Sequence, residues 1–305
     1  MKVAIIGSNG FLGANLSKFL KEKNIYVREI QRKSKNNVFQ INSIGRCNNW
    51  DEALKEIDIV VHCAGIAHII NRDKNIDIVN TFDLINTNLE GTINLTKSCI
   101  KNNIKQLIFI SSIKVLGEKN SIDKPFTNYS CPDPKDIYAW SKLKSEEAIK
   151  ELCNKTRTKY TIIRPPLLFG PGVKANFERL IKLVELQIPL PFGSLKNRRS
   201  IMKIENLANF IHKCITSKES ENQTFVVSDL NDYSIEELIK YIALTVRKRV
   251  IVFKFPKTIL KLLFYLIGRS KEFKKLSETL LINPLESYEI MNLNPKLYTN
   301  NSFKK

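Results

Sequence analysis

Short and nearly unbroken apolar runs alternate along the first half of the chain with segments whose apolar residues recur every three to four positions. Val3–Ile6 predicts a buried strand, and Phe11–Lys21 predicts a helix with Leu12, Leu16, Phe19 and Leu20 on one face. Strands are predicted again at Tyr26–Ile30, Ile57–Cys63, Gln106–Ser112 and Lys159–Arg164. Helices are predicted around Trp50–Lys55, over Asn80–Asn102 and over Ile137–Asn154. Apolar strands of this kind, each followed by an amphipathic helix, imply an α/β fold with a doubly wound parallel sheet covered on both faces.

The rhythm changes after Arg164. Pro165-Pro166, Gly170-Pro171-Gly172, Pro189, Pro191 and Gly193 interrupt the chain, and helices are expected near Asn176–Leu186, Ile204–Thr216 and Ile235–Val246. We expect residues 1–170 to form the sheet domain. Residues 171–305 are expected to form a smaller, mainly helical lid on its carboxyl edge, where such sheets take ligands, with the chain crossing between the two.

Composition narrows the classes. The chain of 305 residues has 49 basic and 30 acidic residues, a net charge of +19. The lysines are scattered, with one modest cluster at Lys271–Lys275 and no aromatic–basic interleaving, so they read as solvated surface rather than as a nucleic-acid groove. A substrate carrying a pyrophosphate would be attracted to such a surface. Cys47, Cys63, Cys99, Cys131, Cys153 and Cys214 form no CxxC pair, which suits a reduced compartment, and His62, His68 and His212 show no metal spacing. The longest apolar stretch late in the chain, Ile259–Ile267, is interrupted by Lys261 and falls short of the roughly 18 residues of a spanning helix. A protein of the cytoplasm with no integral membrane segment is expected.

The first strand runs into Gly7-Ser8-Asn9-Gly10-Phe11-Leu12-Gly13 and then a helix. Gly7 permits a tight turn, Gly10 lets backbone approach a pyrophosphate, and Gly13 allows close helix–strand packing. Helix-terminal N–H groups would hold the anion. Gly7, Asn9, Gly10, Phe11, Leu12 and Gly13 are therefore candidate cofactor contacts. The GxxGxxG spacing resembles the short-chain dehydrogenase/reductase family, with its Rossmann-like fold. Where an acid would hold a ribose hydroxyl, this chain has Ile30-Gln31-Arg32-Lys33, and Glu29 stands too early. Arg32 could neutralise a 2′-phosphate, so NADP(H) is favoured over NAD(H).

Tyr138 and Lys142 lie four residues apart on one helix face, and Ser112 ends the preceding strand. The resemblance implies that Tyr138 exchanges a proton with the substrate oxygen, that Ser112 hydrogen-bonds that oxygen, and that Lys142 holds the nicotinamide ribose. It also implies that Lys142, together with the cofactor's positive ring, depresses the tyrosine pKa. Cys63-Ala64-Gly65 matches the small-residue turn beneath the cofactor, and Asn88-Leu89-Glu90-Gly91-Thr92 resembles the family's NxxGT, whose Asn supports the site. Arg164-Pro165-Pro166 falls where the backbone, at Pro165, meets the carboxamide. Arg199–Asn206 is similar to a stretch of nucleotide-sugar epimerases in which the Arg binds the substrate diphosphate, and Asn176 falls where those enzymes contact the same group.

Within the family, sugar-nucleotide 4,6-dehydratases need an Asp-Glu pair after their Thr, whereas this chain has Ile113-Lys114. UDP-galactose 4-epimerases typically carry an Asn shortly after the arginine matching Arg164, and Pro165–Pro171 contains none. Ser111–Glu118, Arg164–Phe177, Pro189–Gly193 and Asn197–Ser200 together resemble 4-reductases of UDP-2-acetamido-2,6-dideoxy-4-keto sugars, enzymes of O-antigen and capsule synthesis. Ser43, in place of the usual Asp, and Leu293-Asn294-Pro295 depart from that pattern. The resemblance implies reduction of a 4-keto UDP-sugar, with UDP-hexose 4-epimerisation as the alternative. Lys114 is expected near the substrate oxygen, where its charge would stabilise oxyanion character. A homodimer is compatible with the resemblance.

Overall fold

Alternate residues of each central strand belong to different cores. In strand β1 (Lys2–Ile6), Val3 and Ile5 join one apolar cluster while Ala4 and Ile6 join another. Strands β4 (Ile59–His62), β5 (Gln106–Ile110) and β6 (Lys159–Arg164) divide in the same way, with Ile108 on one side and Leu107 and Phe109 on the other. Side chains alternate across a strand, so burial on both faces requires a helical layer on each. The Phe11–Glu22 and Ile204–Thr216 helices cover one face; the Gly91–Lys101 and Ile137–Cys153 helices cover the other.

The computed structural model describes residues 1–32, 38–41, 43–66, 81–173 and 176–298. Its main sheet has seven strands in the order β3-β2-β1-β4-β5-β6-β9, where β2 is Tyr26–Gln31, β3 is Phe39–Gln40 and β9 is Gln223–Val226. Every pairing in it is parallel. A second sheet, in the order β10-β8-β7, joins β7 (Leu167–Phe169), β8 (Arg199–Lys203) and β10 (Asp232–Tyr233). A third core lies beside it under the Asn176–Glu185, Ile235–Thr245 and Lys257–Leu266 helices. The Ile235 helix starts at a reciprocal cap in which the Ser234 hydroxyl accepts from the Glu237 N–H and the Glu237 carboxylate accepts from the Ser234 N–H.

Two differences from the sequence reading have local causes. The predicted long helix is present over residues 81–101, but Asn86–Glu90 forms a π-helical turn within it. The predicted strand Gln106–Ser112 stops at Ile110 because Ser112 begins a 3₁₀ turn, Ile113–Val115, its hydroxyl accepting from the Lys114 N–H. Among the described residues no helix is long and apolar enough to cross a membrane.

Candidate active site

The candidate residues gather at the carboxyl ends of β1, β4, β5 and β6. Gly7 follows β1 with φ of 84°, in the left-handed region that glycine tolerates. A Cβ added there would lie 2.8 Å from the Ala64 Cβ, which sets the turn after β1 directly against the turn after β4. A Cβ on Gly13 would fall 2.2 Å from the Gly7 carbonyl oxygen, so only glycine lets helix and turn approach this closely. Gly10 precedes the Phe11–Glu22 helix in extended conformation and no side chain caps the helix start. Phe11 and Leu12 anchor that helix in the core while Asn9 and Gly10 stay exposed. Uncapped N–H groups above a glycine cradle suit a pyrophosphate.

Arg32 is exposed just past the end of β2, and Lys33 lies outside the described residues. Glu29 is not available to a ribose. It accepts hydrogen bonds from Ser17 and Lys21, and although burial alone would raise its pKa, those bonds hold the carboxyl below its ordinary value.

Asp136 caps the Ile137–Cys153 helix, its Oδ1 accepting from the Ala139 N–H at 2.7 Å. Tyr138 lies in the first turn, near enough to the Ser112 side chain for it to favour the ionised phenol. One turn on, Lys142 is buried; its ammonium donates to the Ile110 carbonyl at 2.9 Å and sits 4.5 Å from the Phe109 ring centroid. A Cβ on Gly65 would come within 3.3 Å of the Lys142 Nζ and 3.2 Å of the Asn88 Oδ1, so the turn after β4 packs closely on both side chains. Asn88 is buried in the π turn: its Oδ1 accepts from the Ile66 N–H at 2.8 Å, while its Nδ2 donates to the Ile66 carbonyl and to the Ser141 hydroxyl. Pro165 is buried, and its carbonyl accepts from the Ile113 N–H at 3.0 Å, tying the ends of β5 and β6 together.

The electrostatics depart from expectation at the tyrosine. Burial pushes Tyr138 up to about 12, the Ser112 side chain opposes the rise, and the Asp136 charge adds to it. The expected depression by Lys142 is absent because that amine is turned to the end of β5. Burial also lowers Lys142 itself to about 8.

Lys114 is not a free cation facing a substrate. Its amine binds Asp136 at 2.5 Å and Glu118 at 3.2 Å; burial opposes its charge, but these carboxylates hold its pKa above the ordinary value. Arg199 opens β8 and donates to the Glu278 carbonyl at 3.1 Å. Burial lowers its pKa, and the charges of Glu278 and Glu118 counter that. Arg199, Glu118, Lys114 and Asp136 thus form one charged cluster beside Tyr138. Asn176 opens the Asn176–Glu185 helix, and its side chain lies outside the described residues.

Sequence reasoning missed two members of this framework. Asp136 was legible as a helix-capping residue ahead of Tyr138. Glu146 was not. It is fully buried, accepts from the Ser111 hydroxyl and takes both arms of the Arg164 guanidinium, with Nε to Oε1 at 3.0 Å. The Arg164 side chain therefore turns into the core behind the strand ends.

Comparisons with known proteins agree with this arrangement. Residues 3–228 match the model of the NAD dependent epimerase/dehydratase family. The chain is 36% identical to a UDP-glucose 4-epimerase of Vibrio cholerae over 99% of its own length and 93% of that protein's. It is 26% identical over 81% of its length to the N-acetyl-α-D-glucosaminyl-diphospho-ditrans,octacis-undecaprenol 4-epimerase of Escherichia coli O157:H7, 73% of which is covered. Among solved structures, the UDP-N-acetylglucosamine 4-epimerase of Bacillus cereus superposes with a TM-score of 0.76 at 17% identity, covering 99% of this chain and 92% of that one. A glycine cradle at the first strand, a Ser–Tyr pair with a buried Lys behind it and a full-length match thus converge: the chain belongs to the NAD dependent epimerase/dehydratase family.

Proposed function

We propose that this chain is a 4-epimerase of a UDP-linked hexose or N-acetylhexosamine that works in the cytoplasm with a retained NAD. The observation that carries this reading is the 36% identity to the V. cholerae UDP-glucose 4-epimerase across 99% of the chain. The nearness of Ser112 to Tyr138 supports it by setting an oxygen-orienting group beside a proton-transfer one. The cofactor contacts are Gly7, Asn9, Gly10, Phe11, Leu12, Gly13, Arg32, Ala64, Lys142 and Pro165. In this reading residues 1–170 hold the cofactor and residues 171–305 cover the sugar. With the pyrophosphate at the glycine turn and the nicotinamide ribose at Lys142, the bound cofactor would supply a hydride acceptor that can return what it takes.

Tyr138 removes the proton from the substrate O4 as C4 is oxidised and gives it back after the keto-sugar has turned over, while Ser112 fixes that oxygen. Lys142 holds the cofactor ribose. Arg199 and Asn176 receive the diphosphate. Lys114, paired with Asp136 and Glu118, steadies the cap of the tyrosine helix rather than meeting O4 as a free cation.

A second reading is the reduction of a 4-keto UDP-6-deoxy-N-acetylhexosamine with consumption of NADPH or NADH, a step toward surface polysaccharide. The stretch Pro165–Pro171, which lacks the Asn typical of UDP-galactose 4-epimerases, favours it, as does the exposed Arg32 at the end of β2. Neither reading requires elimination of water, and Ile113, which is buried, has no proton to give. The deciding experiment is to denature the purified protein and assay the supernatant for nicotinamide. UDP-glucose, UDP-N-acetylglucosamine and a UDP-4-keto-6-deoxy sugar are then offered with and without NADPH. Stoichiometric NAD and cofactor-independent interconversion of either unmodified sugar support the epimerase. An empty protein that oxidises one NADPH per keto-sugar replaces it with the reductase.

A further inference from the structure

The Lys257–Leu266 helix packs on the protein through a narrow stripe, Leu260 and Phe264, set against the third core. A second stripe of the same helix and its end remains uncovered: Ile259, Leu262, Leu263, Leu266 and Ile267, each between 46% and 69% exposed. Their spacing, i, i+3, i+4, i+7 and i+8, makes one continuous apolar face. Scattered apolar residues are normal on protein surfaces; a five-residue stripe on one helix is not. Ile188, Ile251 and Phe253 are also exposed, at the neighbouring bridge between Leu190 and Val252.

Residues 254–275, which contain this helix, carry seven basic residues and one acidic one, Glu272. Lys254, Lys257, Lys261, Arg269 and Lys274 form no ion pair among the described residues. Uncovered aliphatic surface beside unpaired cations is the pattern of a helix that lies in the interface of an anionic membrane. A second copy of this chain fits less well. A two-fold contact through the helix would set its own cations against the same cations of the partner, on a chain that already carries +19.

We propose that the Ile259–Ile267 face docks this protein on the surface of an anionic phospholipid bilayer. The aliphatic stripe enters the acyl boundary while the cations at the two ends of the helix, Lys254 before it and Arg269 and Lys274 after it, meet lipid phosphates. The Ser270–Ser277 helix follows directly, and the charge of its Lys275 is felt at Asp136, so the chain runs from the docked face towards the candidate active site. The proposal concerns this surface and does not rest on which sugar reaction the site performs.

The test is flotation of the full chain with phosphatidylethanolamine vesicles containing a minority of phosphatidylglycerol, and with vesicles of phosphatidylcholine alone. We expect binding to the first, little to the second, and progressive release as salt is raised. Leu262→Gln with Leu266→Gln should keep the thermal transition of the parent, because both side chains are exposed, and should weaken vesicle binding by about tenfold or more. A parent protein that stays in solution with both vesicle types overturns the proposal, as does a double variant that floats equally well. A parent that is a concentration-dependent dimer in light scattering, converted to monomer by the same two substitutions, assigns the face to a second copy and overturns it as well.

Discussion

Replacing Lys142 by Met should separate stability from activity. The ammonium is buried, and burial lowers its pKa from 10.5 to about 8 even with the Ile110 carbonyl and the Phe109 ring beside it. A lowered lysine pKa means that the unfolded chain binds the proton more tightly than the folded one. Below about pH 8 both states are protonated and the folded protein carries the full penalty. Between about pH 8 and pH 10.5 the folded protein releases its proton while the unfolded chain keeps it, so the penalty is relieved as pH rises. At 1.36 kcal/mol per pKa unit the relief amounts to about 3 kcal/mol over that window. Met fills similar space without a charge to desolvate. At neutral pH the variant should therefore be as stable as the parent or more so, and its advantage should shrink by about 3 kcal/mol towards pH 10.5. If Lys142 orders the cofactor ribose as proposed, turnover should fall by orders of magnitude throughout. Urea denaturation of both proteins in reducing buffer at several pH values measures the difference, in which ionisations common to the two cancel. A parent–variant difference that is flat from neutral pH to pH 10.5 refutes the assignment of a buried, strained ammonium at this position.

Three further outcomes are expected. Tyr138→Phe should retain the fold and nicotinamide binding and lose at least about 100-fold in turnover, as removal of a general acid–base does; near-normal turnover removes Tyr138 from the chemistry. Gly13→Ala places a Cβ 2.2 Å from the Gly7 carbonyl oxygen, which is backbone and cannot step aside. It should cost several kcal/mol and weaken nucleotide binding, as read by calorimetry and a cofactor titration. Glu146→Gln leaves the Arg164 guanidinium buried without its carboxylate and should destabilise by about 3–5 kcal/mol in chemical denaturation. A loss below about 1 kcal/mol would mean that the pair is solvated.

How much of this was legible in the sequence depends on which force places each residue. The two-sided strands Val3–Ile6 and Lys159–Arg164 could be read directly, because a parallel strand buried on both faces must be apolar throughout. The Ile137–Cys153 helix resists the same reading. Its buried face is Ala139, Ser141, Lys142, Ser145, Glu146, Ile149 and Cys153, largely polar, so hydrophobic periodicity gives no inward direction. The helix itself was predicted, but only the Tyr138–Lys142 spacing pointed to its inward side. Glu146 and Arg164 meet across tertiary space, and neither carries a local signal of the other. β7, β8 and β10 are too short to show a period and exist through one another's hydrogen bonds. The Lys257–Leu266 helix was visible as an apolar run, but which of its faces would remain uncovered is decided by the third core alone.

The π turn at Asn86–Glu90 has a consequence for any attempt to alter that helix. The main-chain carbonyl of Asn88 accepts the hydroxyls of Thr92 and Ser145 while its side-chain amide grips Ile66 and Ser141, so one residue fastens the β4 loop to the tyrosine helix. A π turn holds one residue more than an α-helix needs for the same advance. Deleting one residue there would therefore let an ordinary α-helical turn span the same advance, so residues 81–85 and Gly91–Lys101 would keep their relative orientation. What would be lost is the bulge itself, and with it the placement that lets Asn88 face the loop and the tyrosine helix at once.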